Sequence, residues 1–356
     1  VSALRLYVGT YSHAIAGMDA LGKGVYRMDL DLRSGQLSAP VLAAACPNPS
    51  YLARGTRSDR LYAVQELFAN EGPGVRTFAV DTEGKLELLS ECKLAGELPC
   101  HLAVDPSGRW LATAQYWSGD VALFGFDVEG LVGTPATIAR FEGCGPDIDR
   151  QSSPHAHHIS FGDGGRELRV VDLGSDALRV FAVEPDGSAP SLRSIDTIAL
   201  PAGAGPRHLV TTANGDTMFV ANELDETIAT LRRSENGWRL VDVCCAFERR
   251  PCQHGGLAAI RLSPDERQVY VSGRRQGMIA WFDRDAGTSA LRESGRIACG
   301  GALPRDFVIS ADGAWVVVAN QGSNHIVCLS RDTMTGALAP GFGQVYVPTP
   351  VALLAW

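Results

Sequence analysis

The sequence has no excess of positive charge, no long apolar run and no paired cysteine motif. Lys and Arg number 32 against 40 Asp and Glu, so the formal net charge is −8. Binding a phosphate backbone or an anionic bilayer needs a basic surface, which excludes nucleic acid and membrane as main partners. A small anionic ligand stays possible, because a few local arginines serve one pocket. No apolar stretch approaches the roughly 20 residues of a membrane span. The first residues, Val1-Ser-Ala-Leu-Arg, have neither a basic n-region nor an apolar h-region, and we expect a soluble, cytoplasmic protein. Nine cysteines cannot all pair within one chain, and none stand at Cys-x-x-Cys spacing. A zinc ribbon and a secreted disulfide framework are both disfavoured, and reduced thiols are expected.

A helical period is missing too. No apolar pattern of 3.6 residues is sustained over about ten residues. What is present is a repeat of roughly 50 residues. Its copies open Pro49-Ser-Tyr-Leu, Pro99-Cys-His-Leu, Pro154-His-Ala-His, Pro206-Arg-His-Leu and Pro304-Arg-Asp-Phe, with a degenerate Gly256-Leu-Ala-Ala-Ile. A turn follows, as in Asp105-Pro-Ser-Gly-Arg, then a second apolar segment such as Met218-Phe-Val-Ala-Asn. An amphipathic third segment and a polar fourth complete each unit. Four short strands per repeat predict an all-β, seven-bladed β-propeller of four-stranded blades. Pro350-Val-Ala-Leu-Leu resembles a first strand, while Leu4-Arg-Leu-Tyr-Val reads as a second strand lacking its first. The C-terminal strand is therefore expected to complete the N-terminal blade and close the ring, giving a single domain over residues 1–356.

The repeats align with one another. Four residues before the apolar anchor of each first strand lie Cys100, His157, Arg207, Ala258 and Arg305. Twelve residues after it lie Tyr116, Leu173, Glu223, Arg274 and Gln321, each preceded by Gln115, Asp172, Asn222, Gly273 or Asn320. Antiparallel neighbours place these positions at one end of each blade. A carboxylate, an imidazole and several guanidiniums at strand ends suit binding and turnover of an anionic substrate. No Gly-x-Ser-x-Gly nucleophile elbow occurs, and the Gly-rich turns open no helix, so neither a serine triad nor a phosphate cradle is supported.

These segments resemble the lactonase family of seven-bladed β-propellers, which includes propeller-type 6-phosphogluconolactonases and fungal carboxy-muconate cyclizing enzymes. The resemblance spans essentially the whole chain. It is carried by Leu6-Tyr-Val-Gly-Thr-Tyr, Pro154-His-Ala-His, Val171-Asp-Leu-Gly-Ser-Asp, Gly205-Pro-Arg-His, Val220-Ala-Asn-Glu-Leu and Val318-Ala-Asn-Gln. The chain departs from the family pattern at Ser272-Gly-Arg274 and Phe161-Gly-Asp-Gly, where the family has Ser-Asn-Arg and Ser-Pro-Asp-Gly. The resemblance implies catalytic residues His157, Arg207, Glu223 and Arg274, the same four that the internal alignment selects. Arg305, Gln321, Asp172, Asn222 and His155 are expected to bind substrate.

The implied reaction is hydrolysis of a sugar-acid lactone, 6-phosphogluconolactone or a related aldonic or aldaric δ-lactone, in a monomer or weak homo-oligomer. Glu223 takes a proton from water, the arginines stabilise the oxyanion and His157 donates to the leaving oxygen or orients the ester. No cofactor is required. His155 and His157 at i and i+2 share a strand face and could ligate a metal, but no third ligand is evident and none is expected. For Glu223 the plain alternative is a buried salt bridge to Arg207 or Arg274. A lactonising cycloisomerase of the carboxy-muconate type and a non-catalytic propeller scaffold are the competing functions.

Overall fold

The computed structural model describes residues 3–15, 20–186, 189–247 and 256–356. Cys252, one of the nine cysteines, lies outside them. The described residues form seven four-stranded antiparallel sheets, with short 3-10 turns and no α-helix. Four strands per repeat is the architecture that the sequence period implies.

The chain falls into two compact units. One is continuous, Ala43–Pro206, and the other joins Val1–Leu42 to Arg207–Trp356. In the discontinuous unit the C-terminal strand Pro350–Ala355 runs antiparallel to Ala3–Thr10, with Leu354 opposite Tyr7 and Leu353 opposite Val8. The N-terminal sheet thus takes its first strand from the far end of the chain, as expected. Without it, the backbone groups of Ala3–Thr10 would form an exposed edge.

The second strand of each sheet is the most enclosed. Arg60–Gln65, Glu167–Asp172, Thr217–Asn222, Gln268–Gly273 and Trp315–Asn320 are buried at every residue. A strand buried on both faces reads as a near-continuous apolar run, which is how these segments look in sequence. Alternation still sorts the side chains. In Gln268–Gly273, Val269 and Val271 join one core with Phe219 and Ile260, while Tyr270 joins another with Phe307 and Val316. In the continuous unit, Val64 and Val75 pack with Leu102 and Phe124, and Ala112 and Leu123 with Ile159 and Val170. Each such large side chain contributes about 1.5–3 kcal/mol when fully buried. Outer strands such as Leu291–Ala298 alternate exposed with half-buried residues and are accordingly polar.

Candidate active site

A recurrent defect in strand pairing sets up the site. Pro99 faces Gln115 but His101 faces Ala114, Ala156 faces Asp172 but His158 faces Val171, and Pro304 faces Asn320 but Asp306 faces Ala319. Cys100, His157 and Arg305 are the extra residues, and a bulge re-aims the side chain it carries. Pro suits the strand start because no ladder donor is needed there. In several copies the residue just ahead of the proline is left-handed although it is not glycine, with φ of 51° at Leu98, 54° at Leu303 and 43° at Thr349. Left-handed backbone at such residues costs about 1–3 kcal/mol each, and strain of this kind gathers at functional ends of folds.

The same end is closed by one repeated hydrogen bond. The amides of Tyr11, Tyr116, Leu173, Arg274 and Gln321, each just past a second strand, donate to Thr349, Leu98, His155, Gly256 and Leu303 over 2.9–3.2 Å. The two positions chosen by the internal alignment therefore do lie at one end of their sheets.

In the discontinuous unit three predicted residues meet directly. Oε2 of Glu223 lies 3.1 Å from Nε of Arg207 and 2.7 Å from Nη2 of Arg274. The side chains of Arg207, Glu223 and Arg274 are 3, 5 and 11 % exposed. Two guanidiniums thus share one carboxylate oxygen. Arg207 also donates from Nη1 to the Ala258 carbonyl at 3.0 Å, with Nε2 of His208 at 3.1 Å. Nε of Arg274 donates to the Gly256 carbonyl at 3.3 Å. Gly256 is forced by close approach, since a Cβ there would fall 1.6 Å from the carbonyl oxygen of Glu223.

Arg305 and Gln321 form a second group in this unit. Nη2 of Arg305 donates to the Tyr11 hydroxyl at 2.9 Å, its guanidinium lies 5.3 Å from the Tyr11 ring centroid, and Nη1 reaches Oε1 of Gln321 at 3.5 Å. Asn222 is fully buried, and its Nδ2 donates to the hydroxyl of Thr227 at 2.8 Å, bracing the turn that carries Glu223.

The continuous unit holds the histidines. His157 stands edge-on to Tyr116 with centroids 5.5 Å apart, and its Nδ1 is 3.8 Å from the thiol of Cys100. His155 stacks on the same tyrosine at 4.5 Å and donates from Nδ1 to the Tyr116 carbonyl at 2.8 Å. Burial pushes the His155 imidazole below its ordinary value, opposed by that carbonyl and by Asp172. The bulge at His157 interrupts strand alternation, so the shared face expected for the two histidines is not a regular one. Asp172 is fully buried and serves its own turn: it accepts the amides of His155 at 2.8 Å and Gly174 at 3.1 Å, and the Arg179 guanidinium at 3.0 Å. One position further along the first strands, His101 lies 3.7 Å from Tyr51 and 4.1 Å from His158, ring centroid to centroid.

Extending the alignment to the N-terminal copies would have found two more residues. Tyr11 follows the strand Ala3–Thr10, and Glu66 follows Arg60–Gln65, as Glu223 follows Thr217–Asn222. Both are buried. The signal was the register of the second strand.

Comparison with known proteins identifies the family. The model of a family described as lactonase, 7-bladed beta-propeller, matches residues 5–355. The chain belongs to this family. Its seven four-stranded sheets are the blades of that description, and by family it is a lactonase-type hydrolase. Among curated relatives, a 6-phosphogluconolactonase of Bacillus subtilis (strain 168) is 31 % identical over 98 % of this chain and 97 % of its own length. A 6-phosphogluconolactonase of Formosa agariphila is 29 % identical over 89 % of this chain and 91 % of its own. Among solved structures, the periplasmic gluconolactonase of Pseudomonas aeruginosa superposes with a TM-score of 0.90 at 26 % identity, covering 99 % of each chain. No helix among the described residues is long and apolar enough to cross a membrane.

Proposed function

We propose that this protein hydrolyses a sugar-acid δ-lactone, 6-phosphogluconolactone or a related aldonic or aldaric lactone, to the open-chain acid. The observation that carries the reading is the convergence of Arg207 and Arg274 on one oxygen of Glu223, at 3.1 and 2.7 Å. An ionised carboxylate has about four acceptor sites, so pairing at Oε2 leaves capacity to take a proton. In the reaction, Glu223 removes a proton from water as it attacks the lactone carbonyl. Negative charge moves onto the carbonyl oxygen, and Arg207 and Arg274 shift part of their ion pairing from Glu223 to that oxyanion. The carboxylate gains basicity as the guanidiniums turn away, which couples proton removal to charge development. The oxyanion then re-forms the carbonyl as the bond to the ring oxygen breaks, and the proton taken up by Glu223 passes to that oxygen, which leaves as an alcohol. Lactone esters are reactive in water, so a positioned base and two charge-assisted contacts supply enough acceleration.

The named relatives support the lactone class, and the arginines support an acid or phosphate group on the substrate. A cytoplasmic location is part of the proposal, supported by the lack of any disulfide among the eight described cysteines. The test is acid release, followed with a pH indicator, against 6-phosphoglucono-, glucono-, galactono- and galactaro-δ-lactone. Turnover above the spontaneous rate on one of them, lost in Glu223→Gln and Arg274→Ala, is expected. Spontaneous rates across the panel would sink the reading.

A further inference from the structure

The turn that carries Glu223 also contains Glu226, an acidic residue that the reaction does not use. Glu226 closes this turn in left-handed backbone, with φ of 59°, just before the strand Thr227–Ser234. Its side chain is buried, although a carboxylate at a strand entrance would ordinarily face water. Oε2 of Glu226 accepts from Nη2 of Arg275 and, at 2.8 Å, from Nε2 of Gln276. Arg275 and Gln276 directly follow Arg274, in the turn between Gln268–Gly273 and Met278–Arg284. The two turns are therefore joined twice in parallel: Glu223 to Arg274, and three residues on, Glu226 to Arg275 and Gln276.

Only the first of these joins lies among the groups assigned to chemistry. The second is built like a clamp. It uses two donors from successive residues on one oxygen, which fixes the direction of the Arg275 turn as well as its distance. Gly256 lies between the turns, its carbonyl accepting from the amide of Arg274 at 3.2 Å and its Cα tight against the Glu223 carbonyl. Glu226 also anchors its own turn from behind, since its carbonyl accepts the amide of Ala246 at 2.9 Å. Burial raises the Glu226 carboxyl above the ordinary range, with Gln276 and Arg275 opposing the rise. A buried carboxylate kept in spite of that desolvation is held by its two donors, and its loss would let both turns relax.

We propose that Glu226 is a positioning residue: through Arg275 and Gln276 it locks the turn bearing Glu223 against the turn bearing Arg274 and so sets the carboxylate–guanidinium separation. This rests on the lactonase reading for its catalytic consequence, but not for its geometric one. Near-attack geometry is sensitive to displacements of about 1 Å, at up to roughly 100-fold in rate. Loss of the clamp should therefore lower kcat and change KM little, because the groups remain present but badly placed.

The experiment combines crystal structures with kinetics for Glu226→Ala, Arg275→Ala, the double variant and the conservative Glu226→Gln. The expected result is a Glu223–Arg274 separation opened well beyond its 2.7 Å in both alanine variants. On the best lactone of the panel, kcat should fall at least about tenfold in each, with KM changed less than about threefold. The double variant should be no worse than either single one, since both remove the same link. Glu226→Gln, whose amide oxygen can still accept from Arg275, should recover much of the loss. An unchanged Glu223–Arg274 separation in folded Arg275→Ala protein would overturn the proposal, whatever the kinetics. A normal kcat or additive losses would overturn it too. If the wild-type protein hydrolyses no lactone, the lactonase reading fails, while the crystal structures still decide for or against the clamp.

Discussion

Glu223→Gln separates a catalytic carboxylate from a merely structural one, because the two roles predict different combinations of effects. The substitution keeps the side-chain shape and removes the charge that lies between Arg207 and Arg274, whose side chains are 3 and 11 % exposed. Breaking a buried ion pair costs about 3–5 kcal/mol, and the amide oxygen that remains as an acceptor puts the expected loss near the lower end, about 3 kcal/mol. Unfolding entropy of about 2.1 cal/mol/K per residue amounts to roughly 0.75 kcal/mol/K for a chain of this length, so the melting temperature should fall by about 4 °C. The pair is buried, so that fall should be nearly the same at about 0.1 and 1 M salt, unlike that of a surface pair.

Activity should change far more than this modest softening explains. Removing a general base lowers turnover by about 100- to 10,000-fold. That is about 3–5 kcal/mol of barrier at roughly 1.4 kcal/mol per tenfold. The assay is indicator-monitored acid release well below the melting transition, corrected for spontaneous hydrolysis, with a thermal melt of the same sample. A lowered melting temperature with turnover within about threefold of wild type would refute the reasoning: Glu223 would then be a structural counter-ion, and the proton would be taken elsewhere.

Three further outcomes follow from the same geometry. Asp306→Ala removes the carboxylate that accepts the amides of Leu353 at 2.8 Å and Phe307 at 2.9 Å and pairs with Arg261 at 2.7 Å. A loss of about 3–5 kcal/mol is expected by thermal or denaturant melting, with Asp306→Asn losing clearly less. His155 is held below its ordinary value by burial, so the unfolded chain binds its proton first as pH falls. Its contribution is whole above about pH 6.5 and is lost between there and the lowered native value, and melting curves of His155→Gln should be flatter than wild type across that window. His157→Gln should lower kcat at least about tenfold on the preferred lactone if this imidazole donates to the leaving oxygen, and an unchanged rate assigns it a packing role against Tyr116 and Cys100.

How much was legible in advance follows from what each level of structure writes into the chain. The sheets were legible because a four-stranded unit with its second strand buried on both faces must repeat apolar runs at fixed intervals. Met218-Phe-Val-Ala-Asn and Trp315-Val-Val-Val-Ala-Asn are the same physical demand met twice. Arg207, Glu223 and Arg274 were legible because charged residues stand out at strand ends where the other copies carry Ala258 or Leu173. The run Arg232-Arg233 reads as a solvated turn from its charge alone, but the pair lies inside the strand Thr227–Ser234, where the exposed end of a third strand carries arginine. Asp172 and Asn222 were selected by position alone. Position does not distinguish a side chain turned to a ligand from one that accepts its own turn's amides, and only the hydrogen bonds of Asp172 make that distinction.

Glu226 marks where such reading stops, and the reason is physical. A ligand-facing residue is constrained by its register within one repeat, so an internal alignment can find it. A clamp is constrained by a partner in the next repeat, and any pair of complementary side chains that spans the gap will serve. The same place in other copies is filled by other side chains with other partners: Asp176, also left-handed and buried, accepts the amides of Gly203 and Gly205 at 2.7 and 2.8 Å, and Asn324, also left-handed, has Oδ1 accepting the amide of Thr349 at 2.7 Å. The backbone solution repeats while the side-chain chemistry differs. The left-handed residue is set by the fold, and what it carries is left to the needs of the neighbouring turn. Beside Asn324 that need is to tie down the C-terminal strand, and beside Glu226 it is to hold Arg274 against Glu223.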